Sequence, residues 1–413
     1  MSVQTLPRAQ GLPAIRFNRG LAAKVAVGVL AIALLALFIS VEMGVFWLLG
    51  MAFGFILQRS RLCFASAFRD LFLMREGRNM KAILAGIAVA TAGFALLMQK
   101  AVPDPAAGAF PDQAHVVPTG LYLAVGGLLF GIGMVVAGGC VSGSMYRVGE
   151  GYVASAVALL GVLAGLEAAA HSWNWWFRFN ISTSPIVWLP NSLGYGGALL
   201  LTGALLLAAY IGLTWWESGR ALMIAFKQKA EDAPATFRAN IAHSYRRIFV
   251  KGWPMLAGAV ALGVLNILAF TYEHPLGVTG ELATWADRGA KLMNLGAPKL
   301  LGVDRLAGCN LAMDASAPWL NHNFALDGGL IFGAFFSAVL ASEFKIRLAP
   351  HPRRYVQSLG GGVLMGYGAG LAVGCTIGAF FSAIPSLGLN GWVFGLSLLA
   401  GSFAGVKLIQ RIA

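Results

Sequence analysis

The sequence predicts an all-α polytopic membrane protein built from two pseudo-symmetric halves, with broken or re-entrant short helices that carry Gly-Cys motifs. Three observations lead there. The 413 residues are 58% hydrophobic and only 11% charged, whereas a soluble domain carries about 25% charged residues. Glycine fills 53 positions, well above the roughly 7% of ordinary usage. A string running from a glycine to a cysteine recurs in both halves of the chain.

A polar tail, residues 1–23, carries Arg8, Arg16 and Arg19 and leads into a first apolar run at 25–42. No small-residue cleavage site follows it, so this helix is expected to stay in the protein. Further runs at 45–57, 82–98, 120–137, 152–170 and 193–215 complete a first membrane half over 24–215. A basic linker, 216–252, separates it from a second half, 253–413, whose runs lie at 254–271, 328–341, 359–373 and 391–409. A full crossing needs roughly 20 apolar residues, so roughly eight to ten crossings are expected. The run at 45–57 is short, and the one at 359–373 ends in Gly-Cys before a second apolar piece. That is the pattern of a helix broken inside the membrane.

The charges orient these segments. Lys plus Arg number 30 against 17 Asp plus Glu, a formal net charge of +13, but the basic residues cluster between apolar runs rather than along one polar face. Nucleic acid is therefore not the expected partner, and the lipid bilayer is. The tail, the segment Arg75 to Lys81 and the linker with Lys227, Lys229, Arg238, Arg246 and Arg247 read as cytoplasmic, with both termini on that side. The segments 100–119 and 171–191 hold Asp104, Asp112 and a tryptophan group, Trp173, Trp175, Trp176 and Trp188. They suit the outer face and its aromatic belt.

The repeat carries the chemistry. FGFILQRSRLC (Phe53 to Cys63), FGIGMVVAGGC (Phe130 to Cys140) and MGYGAGLAVGC (Met365 to Cys375) share one frame, with Gly54, Gly131 and Gly366 each nine residues before the cysteine. A fourth copy from Phe332 ends at Ser342, without a thiol. The stretch Gly151 to Gly165 also matches Gly391 to Gly405, and internal repeats of this kind build many transporters. Gly139 and Gly143 flank Cys140, and Gly374 and Gly378 flank Cys375. Such glycines permit a helix break or a close backbone approach. A thiol is small, nearly apolar and a weak donor, so it fits a narrow dry passage and can still contact a soft anion. A single buried cysteine reads equally as ordinary core. Three in one frame point to a shared pathway, whereas Cys309 falls outside the frame and reads as packing.

Beside the first cysteine stand Gln58, Arg59 and Arg61. Arginines near membrane depth either face an anion path or snorkel to the headgroups as topology signals. Arg69 with Asp70, and Arg147 with Glu150, read as structural ion pairs or as ligands. The six histidines, His115, His171, His243, His274, His322 and His351, lie in loops or at segment ends. No intramembrane His or carboxylate cluster is evident, which argues against a dedicated proton relay. CxxC, metal-spaced ligands, a phosphate-binding GxxxxGK and a GxSxG elbow are absent from the sequence, so no metal, cofactor or enzymatic role is expected.

At GFILQRSRLCFASAFRDLFL (Gly54 to Leu73), at Gly126 to Gly151 and at GGGVLMGYGAGLAVGCTIG (Gly360 to Gly378) the chain resembles the YeeE/YedE family of sulfur-transport membrane proteins. The likeness runs from about Gly44 to Leu408; the stretch 283–323, with Cys309, Asp314 and Trp319, does not match clearly. It implies thiosulfate uptake across the bacterial inner membrane, with Cys63, Cys140 and Cys375 lining a constricted path and passing the anion by S–H contacts. It also implies a small cytosolic sulfur-carrier protein as a partner. Alternatives are a selenium compound or another soft sulfur anion as cargo, a membrane thiol-redox protein, or a module that docks a soluble partner.

Overall fold

The computed structural model describes Gly28, Val29, Ile32 and residues 40–107, 110–217, 252–303 and 320–412. Most of the first apolar run and of the basic linker lies outside the described residues. Twelve α-helices and one π-helix make up these segments: α1 (Val41–Ser60), α2 (Phe64–Leu73), α3 (Arg78–Ala101), α4 (Leu121–Ala137), α5 (Val141–Gly149), α6 (Val153–Phe179) and α7 (Leu189–Glu217) come first. After the linker come α8 (Met255–Tyr272), α9 (Thr279–Leu292), α10 (His322–Leu340), α11 (Arg353–Leu371), the π-helix Thr376–Ser382 and α12 (Leu389–Ile412). Among the described residues eight helices are long and apolar enough to cross a membrane, and the α11–π pair, bent by 48°, makes a ninth. The fold is an all-α multi-span membrane protein.

Local chemistry sets the helix ends. Ser40 caps α1 by accepting the Met43 N–H at 3.1 Å, and Asn321 caps α10 by accepting the Phe324 N–H at 2.8 Å. Pro254 and Pro352 stand directly before α8 and α11, where a missing N–H does little harm.

Lipid offers no hydrophobic drive for helices to associate, so close packing must supply it. The repeat glycines do this. α1 packs on α10, α4 on α11 and α12, and α6 on α11. A methyl on Gly54 of α1 would collide with the Leu330 carbonyl of α10, and one on Gly333 of α10 with the Met51 carbonyl of α1. Gly131 meets the α12 backbone at Leu398, and Gly366 meets the α6 backbone at Val162. Helices from the first half thus interlock with helices from the second. α7 is peripheral and turns Leu200, Leu207 and Trp215 outward, the side chains of a lipid-facing surface.

Two aromatic pairs hold the short elements in place. Phe64 on α2 meets Phe381 on the π-helix, and Phe68 meets Phe380, both edge-on with centroids 5.6 Å apart. Asn266 of α8 donates to Ser382 Oγ at 3.1 Å and accepts the Leu276 N–H at 2.8 Å. These bonds fix the α8–α9 turn against the π-helix.

Candidate functional site

Three helices stop in the same way. Arg61, Gly138 and Val373 have φ of 52°, 79° and 54°, each two residues before a cysteine. This left-handed residue breaks the preceding helix, and a β-branched Val there carries real backbone strain. Each cysteine then takes up extended backbone and serves as N-cap of the next helix: Cys63 for α2, Cys140 for α5 and Cys375 for the π-helix. Ser342, the thiol-less end of the fourth copy, is itself left-handed (φ 58°) and starts no helix.

An N-cap position aims its side chain at unsatisfied backbone N–H groups and at the positive end of the helix dipole. Cys140 Sγ accepts the Gly143 N–H at 3.3 Å and touches Ser142 Oγ at 3.5 Å. Cys375, at the N-cap position of the π-helix, makes no capping hydrogen bond through its thiol. Cys63 has no capping hydrogen bond; its sulfur lies 4.0 Å from Arg147 Nη2. The three thiols are free and 4%, 1% and 0% exposed in chain order, and Cys140 lies within electrostatic range of both Cys63 and Cys375. They form one buried group.

Glycine keeps the space between them open. A methyl on Gly143 would lie 3.1 Å from Cys140 Sγ and 3.8 Å from Cys63 Sγ. One on Gly139 would lie 3.5 Å from Arg147 Nη1, and one on Gly374 would lie 3.3 Å from His115 Cε1. Gly378 is buried within the π-helix. Gly54, Gly131 and Gly366 are remote from the thiols and serve the helix crossings described above. His115 is wholly buried, and this burial pushes its pKa down to about 4.

The charged candidates separate into two sets. Arg147 leaves Glu150 and donates to the Gly138 carbonyl as well as facing Cys63, so it belongs with the thiols. Gln58, Arg59, Arg61 and Glu150 gather instead around Glu343. Arg59, 2% exposed, meets the Glu343 carboxylate at 2.6 Å, and the exposed Arg61 meets its other oxygen at 3.0 Å. Gln58 donates to Glu150 at 3.0 Å and to Glu343 at 2.9 Å while accepting from Ser337 at 2.8 Å. Burial raises the Glu343 pKa, but the Gln58 hydrogen bond and the two guanidiniums outweigh it and hold the carboxyl below its ordinary value. This cluster joins α1, the C-terminal end of α5, α10 and the α10–α11 connection. Arg69 and Asp70 pair at 2.8 Å on α2.

Three sequence readings change. Arg147 and Glu150 form no ion pair with each other among the described residues. The histidines do gather: His274 and His322 meet Glu273, with ligand-type atoms all within 4.8 Å. Two carboxylates that the sequence did not single out, Asp327 of α10 and Glu281 of α9, are both buried. Cys309, Asp314 and Trp319 lie outside the described residues.

Comparison with known proteins gives a family and full-length relatives. The family described as "Sulphur transport" matches residues 59–404. The thiosulfate transporter TsuA of Spirochaeta thermophila is 29% identical over 370 residues, which cover 88% of this chain and 98% of that protein. TsuA of Escherichia coli is 28% identical over 362 residues, covering 87% and 92%. The "Probable transporter YedE" of Salmonella typhimurium is 35% identical over 202 residues, 49% of this chain and 47% of its own.

Proposed function

The chain belongs to the sulfur-transport (YeeE/YedE) family, and from that premise we propose that it takes up thiosulfate across the bacterial inner membrane along a path lined by Cys63, Cys140 and Cys375. The observation that carries this reading is the shared setting of the three thiols: each is buried, each stands at the N-cap position of a short helix, and Arg147 reaches towards Cys63. Two relatives named as thiosulfate transporters align over nearly their whole length, which supports the cargo.

The chemistry is that of an anion passed between weak donors. A dianion entering a low-dielectric passage loses hydration worth many kcal/mol, and here S–H groups, helix N-termini and one guanidinium replace part of that shell. Neutral thiols suit the task because a thiolate would repel the cargo. Weak donors also let the ion leave again, as conduction requires. Binding by several strong cations would trap it, and the Arg59 and Arg61 guanidiniums are held on Glu343 instead.

By the positive-inside rule the end carrying Arg61 and Glu343 faces the cytoplasm and the end carrying Trp188 faces outward. A cytosolic sulfur carrier would then meet the cargo at the Glu343 end. The test is growth of a sulfur-auxotrophic host on thiosulfate as sole sulfur source. The intact chain is expected to support growth and the Cys63→Ala, Cys140→Ala and Cys375→Ala variants, at equal membrane levels, to fail. No growth with the intact chain would move the assignment to a selenium compound or another soft anion; normal growth of all three variants would return the thiols to packing. A disulfide between motif cysteines that cycles with a reductant would favour the redox alternative.

A further inference from the structure

A group of ligand-type side chains stands at the opposite end of the molecule from Glu343. α1 runs from Glu42 in its first turn to Arg59 in its last, and α10 runs from His322 to Leu340, just before Glu343. At the start of α8 the Trp253 N–H donates to the Arg59 carbonyl at 2.8 Å. The far end of α8, with Glu273 and His274 directly after Tyr272, therefore lies beside the starts of α1 and α10. There Glu273, His274 and His322 each offer one ligand atom, all within 4.8 Å of one another. The two imidazoles pack on Phe46 of α1, which is wholly buried. Its ring centroid lies 5.5 Å from that of His274 and 5.1 Å from that of His322, and the imidazole centroids are 5.9 Å apart.

The ring nitrogens are arranged as a metal site requires. A ligating imidazole presents one nitrogen to the ion and donates its other N–H to a carbonyl or carboxylate, which fixes the tautomer and the ring. His274 Nδ1 lies 3.0 Å from the Pro275 carbonyl. A carbonyl only accepts, so this nitrogen carries the proton and Nε2 keeps its lone pair. His322 Nε2 faces Glu273 Oε1 at 3.5 Å, and its Nδ1 faces Glu42 Oε1 at 4.0 Å on the other side of the ring. Glu273 Oε2 is closed off from solvent and has no hydrogen-bond partner, an acceptor that a cation would satisfy. The backbone on both sides is anchored. Asn321, directly before His322, accepts the Phe324 N–H at 2.8 Å and donates to Glu281 at 2.9 Å. The Leu276 N–H, two residues after His274, is bonded to Asn266 at 2.8 Å. Two imidazoles and a carboxylate make a zinc-type donor set, whereas Mg²⁺ and Ca²⁺ take oxygen ligands.

We propose that Glu273, His274 and His322 bind a zinc ion at the outer face, with Glu42 holding the His322 Nδ1–H and the fourth coordination position left open. Small side-chain rotations bring the ligand atoms to the spacing of about 3.3 Å that a tetrahedral site needs. The ion ties the end of α8 to the start of α10. This holds whatever the cargo is, since the test reads metal binding and not transport. Purified full-length protein, freed of metal with a chelator, is titrated with Zn²⁺ against a chromogenic zinc indicator, and its unfolding temperature is followed with and without the metal. The intact chain is expected to take up zinc in about a one-to-one ratio and to unfold at a higher temperature when loaded. His274→Gln and His322→Gln should each abolish both the binding and the thermal shift, and either one provides the test if the other fails to assemble. Glu42→Gln should weaken binding about 10- to 100-fold. Cobalt(II) in place of zinc separates this site from the thiols: visible bands are expected without the sulfur-to-metal charge transfer that a thiolate ligand produces. Zinc uptake unchanged in the histidine variants, a sulfur charge-transfer band, or equal competition by Mg²⁺ would overturn the proposal. Failure of the intact chain to bind zinc would overturn it too, and would leave His322 as an ion-pair partner of Glu42 and Glu273.

Discussion

Arg59 and Cys63 are four residues apart, yet they belong to regions that treat charge in opposite ways. The cluster around Glu343 is strongly charged and fully engaged: a buried guanidinium, an exposed one and Gln58 share one carboxylate. The thiol group has Arg147 as its nearby guanidinium and otherwise presents sulfur, the Ser142 hydroxyl and the Gly143 N–H. Strong partners brace the first region and fix the ends of four elements. Weak, replaceable partners leave the second able to exchange an ion. Charge density in the sequence therefore marks the brace, and the path is marked by small uncharged residues.

Substitutions should separate these roles. The largest expected effect is on transport: Cys140→Ala should lower the thiosulfate uptake rate by about two to three orders of magnitude, with little change in thermal stability of the purified protein. Glu343→Ala should do the reverse. It removes the carboxylate that neutralises the buried Arg59 charge, so a loss of about 3 kcal/mol is expected, read as a lower unfolding temperature, while uptake per folded molecule is retained. If Glu343→Ala abolished uptake without lowering stability, the division into brace and path would fail.

Acid should affect the two regions over different intervals. The His115 ring, beside Gly374, has a folded pKa of about 4 against an unfolded value of about 6.5. Below 6.5 the unfolded chain binds the extra proton, so stability is lost as pH falls from about 6.5 towards 4, by about 2 kcal/mol between pH 7 and pH 5. The Glu343 carboxyl, held below its ordinary value, contributes stability that is present above about 4.3 and lost as pH falls through its lower folded value. Stability measured against pH in His115→Gln should lose the first slope and keep the second. The smallest expected effect is at Gly143→Ala. Its methyl intrudes between Cys140 and Cys63, and uptake should fall about tenfold through crowding alone.

Much of the fold was legible because membrane helices announce themselves by length and hydropathy. The runs at 82–98, 120–137 and 391–409 became Arg78–Ala101, Leu121–Ala137 and Leu389–Ile412. The breaks at the cysteines were legible too, since glycine beside Cys140 and Cys375 is a local signal. Long-range partnerships were not. Arg59 finds Glu343 at a separation of 284 residues, and Arg147 reaches Cys63 across 84. Nor were the buried Asp327 and Glu281, which sit on elements separated by an unmatched stretch, α9 being too polar and too short to register as a crossing. Glu343 had one available signal: it directly follows Ser342, where the fourth copy of the repeat loses its cysteine.

The most direct test is initial-rate uptake of labelled thiosulfate into vesicles holding purified protein, comparing the intact chain with Cys63→Ala, Cys140→Ala and Cys375→Ala at matched protein density. Uptake by the intact chain that collapses in each thiol variant, while every variant stays folded, is the result expected if the three cysteines form the path. Undiminished uptake in all three would contradict it and leave the cysteines as core residues of a passage that runs elsewhere.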